Sequence, residues 1–207
     1  EINTHFRPGI AELLTNAKHS GKILKVVDLV FLIAPRINAA GRIFSGKRAV
    51  EVLLANNKEN AKTVAAEIEK NNQERKGLDR NITQEALDII ESDSFYEDSF
   101  TTVVKKEGWH KGVVGIVASR LIENYYKPTI VLVEDDGILS GSVRSIEGVD
   151  VYDMLSACSD HLIQFGGHSM AAGLKLKSEN FLVFREAFDK AVREFTNNIR
   201  IERCHLY

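Results

Sequence analysis

Apolar residues recur at helical spacing near the start of the chain, where Ile10, Leu13, Leu14 and Ala17 follow Pro8; a proline at the first turn and this spacing predict a short amphipathic helix over residues 8–18. Residues 26–34 are almost wholly apolar, too greasy to be exposed and too short to span a bilayer, so a buried helix or strand is expected there. Residues 46–92 are nearly all helix formers, with Ala61, Val64, Ala65 and Ile68 as a thin apolar stripe among charges; one or two long, mostly solvated helices are expected, with a weak point near Gly77. The pattern then changes. β-Branched runs at 101–104, 129–133 and 138–143 alternate with helical patterns at 113–125, 151–158 and 178–195, and residues 171–176 form a further strand candidate. In the last helix Ser178 is the expected N-cap, and Phe181, Phe184, Phe188, Val192 and Phe195 the buried face. Strands interleaved with helices predict an α/β lobe with a small mixed β-sheet flanked by helices.

Composition narrows the classes of function. At 207 residues and 44% hydrophobic the chain can bury one sizeable core or two small ones without staples. A formal charge of -2, from 27 Lys and Arg against 29 Asp and Glu, gives no general attraction to nucleic acid or anionic lipid, so a phosphate partner would have to be held locally. Two cysteines, Cys158 and Cys204, outside any C-x-x-C pair, point to a reducing compartment and against a structural zinc site. No run is long enough to span a membrane and no signal peptide opens the sequence. A first residue other than Met and an uncapped apolar end lead us to expect a piece of a longer protein.

Four segments break the ordinary pattern, each joining glycine to a cation or polar group: P-R-I-N-A-A-G-R at 35–42, E-G-W-H-K-G-V-V-G at 107–115, S-G-S-V-R-S at 140–145 and F-G-G-H-S-M-A-A-G at 165–173. Glycine lets main-chain N–H groups converge on an anion, and arginine adds a planar fork for two phosphate oxygens. Each has a plain alternative. Gly112 could simply start a helix, Trp109 reads first as a packing residue with base stacking as the alternative, His110 and Lys111 could be a solvated turn, Arg144 an ordinary strand-end arginine, and Lys47 and Arg48 helix decoration. His168 is harder to dismiss, because a structural histidine does not require two bare residues before it. The chain has no G-x-x-x-x-G-K-[ST], no G-x-G-x-x-G after a strand and no G-x-S-x-G; Asp160, His161 and His168 lack the carboxylates a metal site would need.

Taken together, in order and over nearly the whole chain, the four segments resemble the RecJ family, single-strand-specific DNA exonucleases of the DHH phosphoesterase superfamily. Residues 36–42 look like the motif ending that family's catalytic domain, and Gly108, Trp109 and His110 like the opening of its DHH-associated domain. Ser142 to Ser145, and Gly166, Gly167 and His168 with Ala171 to Gly173, look like its substrate-binding signatures. The Asp-His-His triplet of the superfamily is missing: Ser159-Asp160-His161-Leu162 is not that triplet. The resemblance therefore implies a catalytic-domain tail at 1–45, connector helices at 46–95, the associated domain at 96–200 and the start of a linker at 201–207. It implies phosphate contacts by Arg36, Asn38, Arg42, His110, Ser142, Arg144, Ser145, Gly166, Gly167 and His168, with Arg36, Asn38 and Arg42 as the opposite wall. Two divalent ions, Mn2+ or Mg2+, are expected in a catalytic domain outside this chain, which alone should not cut. Single-stranded DNA is the implied partner, with a single-strand-binding protein and a helicase as further ones, no membrane, a cytoplasmic location and a role in DNA repair and recombination. Two rival functions remain at this point: a non-catalytic RNA- or tRNA-binding module, or a relative acting on oligoribonucleotides or cyclic dinucleotides.

Overall fold

The computed structural model describes residue 3, residues 5–43 and residues 46–203, the side chains of residues 42 and 43 excepted. The chain divides into two compact units, Glu1–Leu78 and Asp79–Tyr207.

In the first unit, α1 (Pro8–Asn16) lies so close to α4 (Gly46–Leu54) that a Cβ on Gly9 would fall 1.7 Å from the Val52 carbonyl oxygen. Between them, α2 (Val26–Asp28) starts with the Asp28 carboxylate accepting from the Lys25 N–H at 2.8 Å, then passes through a π-helical turn, Leu29–Ile33, into α3 (Ala34–Ile43). The wide turn ends two positions before Pro35, which cannot donate a helical bond and whose ring would crowd the Phe31 carbonyl in a regular α-helix. Residues 26–34 are thus helical, but the expectation that they are too apolar to be exposed is wrong. Val26 is 77% and Phe31 70% exposed, and only Ile33 of this stretch is buried, because a single helix turns half of any all-apolar run away from the core it touches. That core joins Leu13, Leu14, Leu24, Ile33, Ala40, Ala49 and Val52 to Val64, Ala65 and Ile68 of α5 (Lys58–Ser92), whose first turn is capped by the Asn57 carboxamide oxygen. α5 runs unbroken through Gly77, so the weak point expected there is not a break in the helix.

The second unit starts with the rest of α5 and a short helix, α6 (Phe95–Asp98). Then come β1 (Thr102–Glu107), α7 (Val114–Tyr125), β2 (Thr129–Asp135), β3 (Ile138–Arg144), α8 (Val151–Ala157), β4 (Gln164–His168), β5 (Ala171–Lys177) and α9 (Phe181–Phe195). The five strands form one mixed sheet in the order β1-β2-β3-β5-β4, with β1 and β2 parallel and the other pairs antiparallel, as the sequence predicts in kind. Alternate residues point to opposite faces. One face, with Val103, Ile130, Leu132, Leu139, Val143, Ala172, Leu174 and Leu176, packs against Met154 and Leu155 of α8 and Phe184, Phe188 and Val192 of α9. Ser178 does not cap α9; its hydroxyl joins Lys105 and Glu134, and a 3-10 turn, Ser178–Asn180, intervenes before the helix. Phe195, at the last residue of α9, is 49% exposed rather than buried. No helix among the described residues is long and apolar enough to cross a membrane.

Candidate functional site

The other face of the sheet is covered only in part. α7 lies over β2 and β3, burying Val114, Val117, Ala118 and Leu121. Beyond it, on β5 and β4, the face is open: Gln164, Gly166, His168, Gly173 and Lys175 are all exposed. Directly paired residues share a face, so the register lays three rows across β3, β5 and β4. Arg144 pairs with Ala171 and Ala171 with His168; Ser142 with Gly173 and Gly173 with Gly166; Ser140 with Lys175 and Lys175 with Gln164. The middle row is hydroxyl and bare backbone. The rows beside it carry an arginine and a histidine on one side and a lysine on the other, each about 7 Å away along the strands, while Arg144 and His168 stand about 10 Å apart across two strand spacings.

The glycines of F-G-G-H have different reasons. A Cβ on Gly167 would meet the Ala171 carbonyl oxygen and the Ala172 Cα, each at 2.4 Å, so the hairpin itself requires that glycine. On Gly166 a Cβ would meet nothing within 4 Å, and on its partner Gly173 only the Gly141 oxygen at 3.7 Å. The fold does not need glycine at either place. The hairpin tip is clamped where the Ser145 N–H donates to the Met170 carbonyl and the Val151 N–H to the Ser169 carbonyl, both at 3.0 Å. The Met170 N–H donates to His168 Nδ1 at 3.4 Å, so a neutral His168 carries its proton on Nε2, as a donor.

Arg144 Nη1 donates to the Ser142 hydroxyl at 2.8 Å and the Val143 carbonyl at 2.7 Å. Its Nη2 lies under the first turn of α7, where a Cβ on Gly115 would come within 2.8 Å of it and 3.0 Å of Ser142 Oγ. Gly115 therefore makes room for the guanidinium beside a helix N-terminus, an arrangement that favours anions. Ahead of that helix, His110 Nδ1 accepts from the Gly112 N–H at 3.1 Å. Trp109 is 6% exposed and donates from Nε1 to Glu85 at 2.8 Å, which fixes it as a packing residue. Lys106 also donates to Glu85, and these two hydrogen bonds, Lys106 first, hold the carboxyl below its ordinary range. On the same side Arg120 grips the buried Asp79 with two bonds of 2.8 and 2.9 Å.

The structure thus brings Ser142, Arg144, Gly166 and His168 onto one surface. It uses the Ser145 hydroxyl internally, on the Val149 carbonyl at 2.6 Å, and buries that residue. In the first unit Arg36 is 7% exposed, with Nε on Glu69 at 2.6 Å and Nη1 on the Leu32 carbonyl, fastening α3 to α5. Asn38 is exposed on α3; Arg42 continues that helix, and its side chain lies outside the described residues. Arg48 is ion-paired with Glu51 and Glu67. Sequence reasoning placed Gly173 in the binding signature but missed Gly115 and Lys175 as members of the surface; for Lys175 the alternation of residues 171–176, with Ala171, Gly173 and Lys175 on one side, is the available signal. Among the described residues no group of three or more His, Cys, Asp or Glu side chains could hold a metal ion.

The DHHA1 domain family matches residues 98–194. The single-stranded-DNA-specific exonuclease RecJ of Bacillus subtilis is 45% identical over 152 residues, 72% of this chain and 19% of that protein. The one of Haemophilus influenzae is 37% identical over 205 residues, 96% of this chain and 36% of that protein. The crystal structure of RecJ in complex with Mn2+ from Thermus thermophilus superposes with a TM-score of 0.81 at 26% identity, covering 93% of this chain and 28% of that one. The chain spans about a fifth to a third of the length of these relatives.

Proposed function

Because the chain belongs to the RecJ family, whose DHHA1 domain it carries, we propose that it is the strand-gripping part of a single-stranded-DNA-specific exonuclease that releases nucleotides from the 5′ end. The observation that supports this most is the bare row of Ser142, Gly173 and Gly166 between cationic rows, glycine being kept where the fold does not ask for it. A phosphodiester over that row approaches the main chain closely. Arg144 brings its positive charge to its oxygens from one side, His168 Nε2 donates from the other, and Lys175 adds charge from the next row. Such contacts grip the sugar-phosphate thread without reading bases.

The described residues do not gather a set of His, Cys, Asp or Glu side chains that could hold a metal ion. Mn2+ or Mg2+ ions would be held elsewhere in the longer protein, and Ser142, Arg144 and His168 would position the phosphate and stabilise charge developing on it. On this reading the longer protein serves DNA repair and recombination in the cytoplasm, with a single-strand-binding protein and a helicase as partners.

The test uses the complete protein. Arg144→Ala and His168→Ala should each lower the turnover of labelled single-stranded DNA about a hundredfold, the usual loss of one such donor. Rates near the unsubstituted value for both would reject the reading, and so would tighter binding of folded RNA than of single-stranded DNA.

A further inference from the structure

We infer that Tyr152, backed by Phe165, is a stacking platform for one base of the bound strand; this deepens the strand-gripping reading and rests on it.

Tyr152 lies in the first turn of α8 and is 43% exposed. Its ring packs at 50° on Phe165, with centroids 5.5 Å apart. Phe165 is half-buried and packs against the core beneath the sheet, so the inner side of Tyr152 rests on an anchored ring. An exposed tyrosine alone is ordinary surface. This one stands across the edge strand from the proposed phosphate floor. Phe165 immediately precedes Gly166 in β4, and alternation puts the phenyl ring on the α8 side of the edge strand and the bare backbone on the other. The Val151 N–H bond to the Ser169 carbonyl pins the start of α8 to the hairpin tip, and the Asp150 carboxylate caps the same turn through the Tyr152 and Asp153 N–H groups. The ring is therefore held in place before any ligand arrives, which lowers the ordering cost of stacking on it.

Charge selects the part of a nucleotide that can sit there. Asp150 and the exposed Asp153 flank Tyr152 and repel phosphate, whereas Arg144, His168 and Lys175 lie on the opposite face of the sheet. Met170, 45% exposed, and Ile163, 54% exposed, extend an apolar margin along the rim. A strand laid over the bare edge would keep its backbone on the cationic side and turn an uncharged base over the rim onto the ring. Stacking on an aromatic face tolerates any base, as a nuclease indifferent to sequence requires.

The experiment measures affinity of the complete protein for a labelled single strand of DNA, intact or with one abasic residue moved along it. Tyr152→Leu keeps an apolar contact with Phe165 but removes the ring, and should weaken binding of the intact strand about tenfold, with Tyr152→Phe retaining most of the affinity. One abasic position should cost the unsubstituted protein a similar factor and cost Tyr152→Leu nothing further. Unchanged affinity in Tyr152→Leu, or a full abasic penalty at every position in that variant, overturns the inference. Arg144→Ala separates the two levels: if it weakens binding while Tyr152→Leu does not, only the stacking inference falls, and if neither does, the strand-gripping reading falls with it.

Discussion

Gly141 and Gly166 stand two strands apart in one sheet and are glycine for opposite reasons. At the seam of β2 and β3 a Cβ on Gly141 would lie 2.0 Å from the Val131 carbonyl oxygen and 2.8 Å from the Leu132 Cα, so the strands could not pair as they do. At the open rim a Cβ on Gly166 would touch nothing, and alanine there would remove a conformational cost of roughly 0.5–1 kcal/mol. The closed region spends its bare residue on its own packing. The open region carries one that its own packing does not require, and it lies between Arg144, His168 and Lys175.

The largest way to sharpen that contrast is Gly141→Val. The clash is with main chain, which cannot swing aside, so the unfolding free energy should fall by about 3 kcal/mol or more, read as a lower urea midpoint for the chain. A midpoint within error of the unsubstituted chain would mean that the seam tolerates side chains, and the two glycines would no longer differ in kind.

The closed region was also the more legible in the sequence. β-Branched runs mark β1, β2 and β3, and the helical spacing of Phe184, Phe188 and Val192 marks the buried face of α9, because burial imposes a period that side chains record. β4 leaves no such record. Gln164 to His168 has two residues without side chains among five, and it is a strand because β5, already paired to β3, offers it a free edge. Long-range partners decide the arginines too. Arg36 and Arg144 both sit in glycine-bearing segments, yet Glu69, 33 residues away, captures Arg36, while Arg144 stays on the sheet surface beside Ser142. Ser178 looked like a helix cap because nothing local announces that Lys105 and Glu134 will engage it. Residues 26–34 misled for a simpler reason: hydropathy reports how apolar a run is, not how many of its sides find a neighbour.

Gly166→Ala tests the open region directly. Stability should stay level or rise by up to about 1 kcal/mol, while affinity for single-stranded DNA in the complete protein falls several-fold as a methyl group enters the floor. Equal affinity with raised stability would show that nothing needs to approach this backbone, and the contrast with Gly141 would lose its functional meaning.

The smallest effect concerns how each region is held. Two main-chain bonds, from the N–H groups of Ser145 and Val151, fasten the hairpin tip. The segment leading into α7 is tied through Trp109 to Glu85, whose carboxyl is held below its ordinary value of 4.5 by hydrogen bonds from Lys106 and Trp109. A depressed carboxyl stabilises the fold above its unfolded pKa and loses that contribution as pH falls through the folded one. Trp109 is the only tryptophan in the chain, so its fluorescence reports the tie. The emission should hold steady down to pH 4.5 and shift only below it, and Glu85→Gln, which cannot titrate, should abolish that step. A shift centred at or above pH 4.5 would mean that the tie does not hold Glu85 ionised.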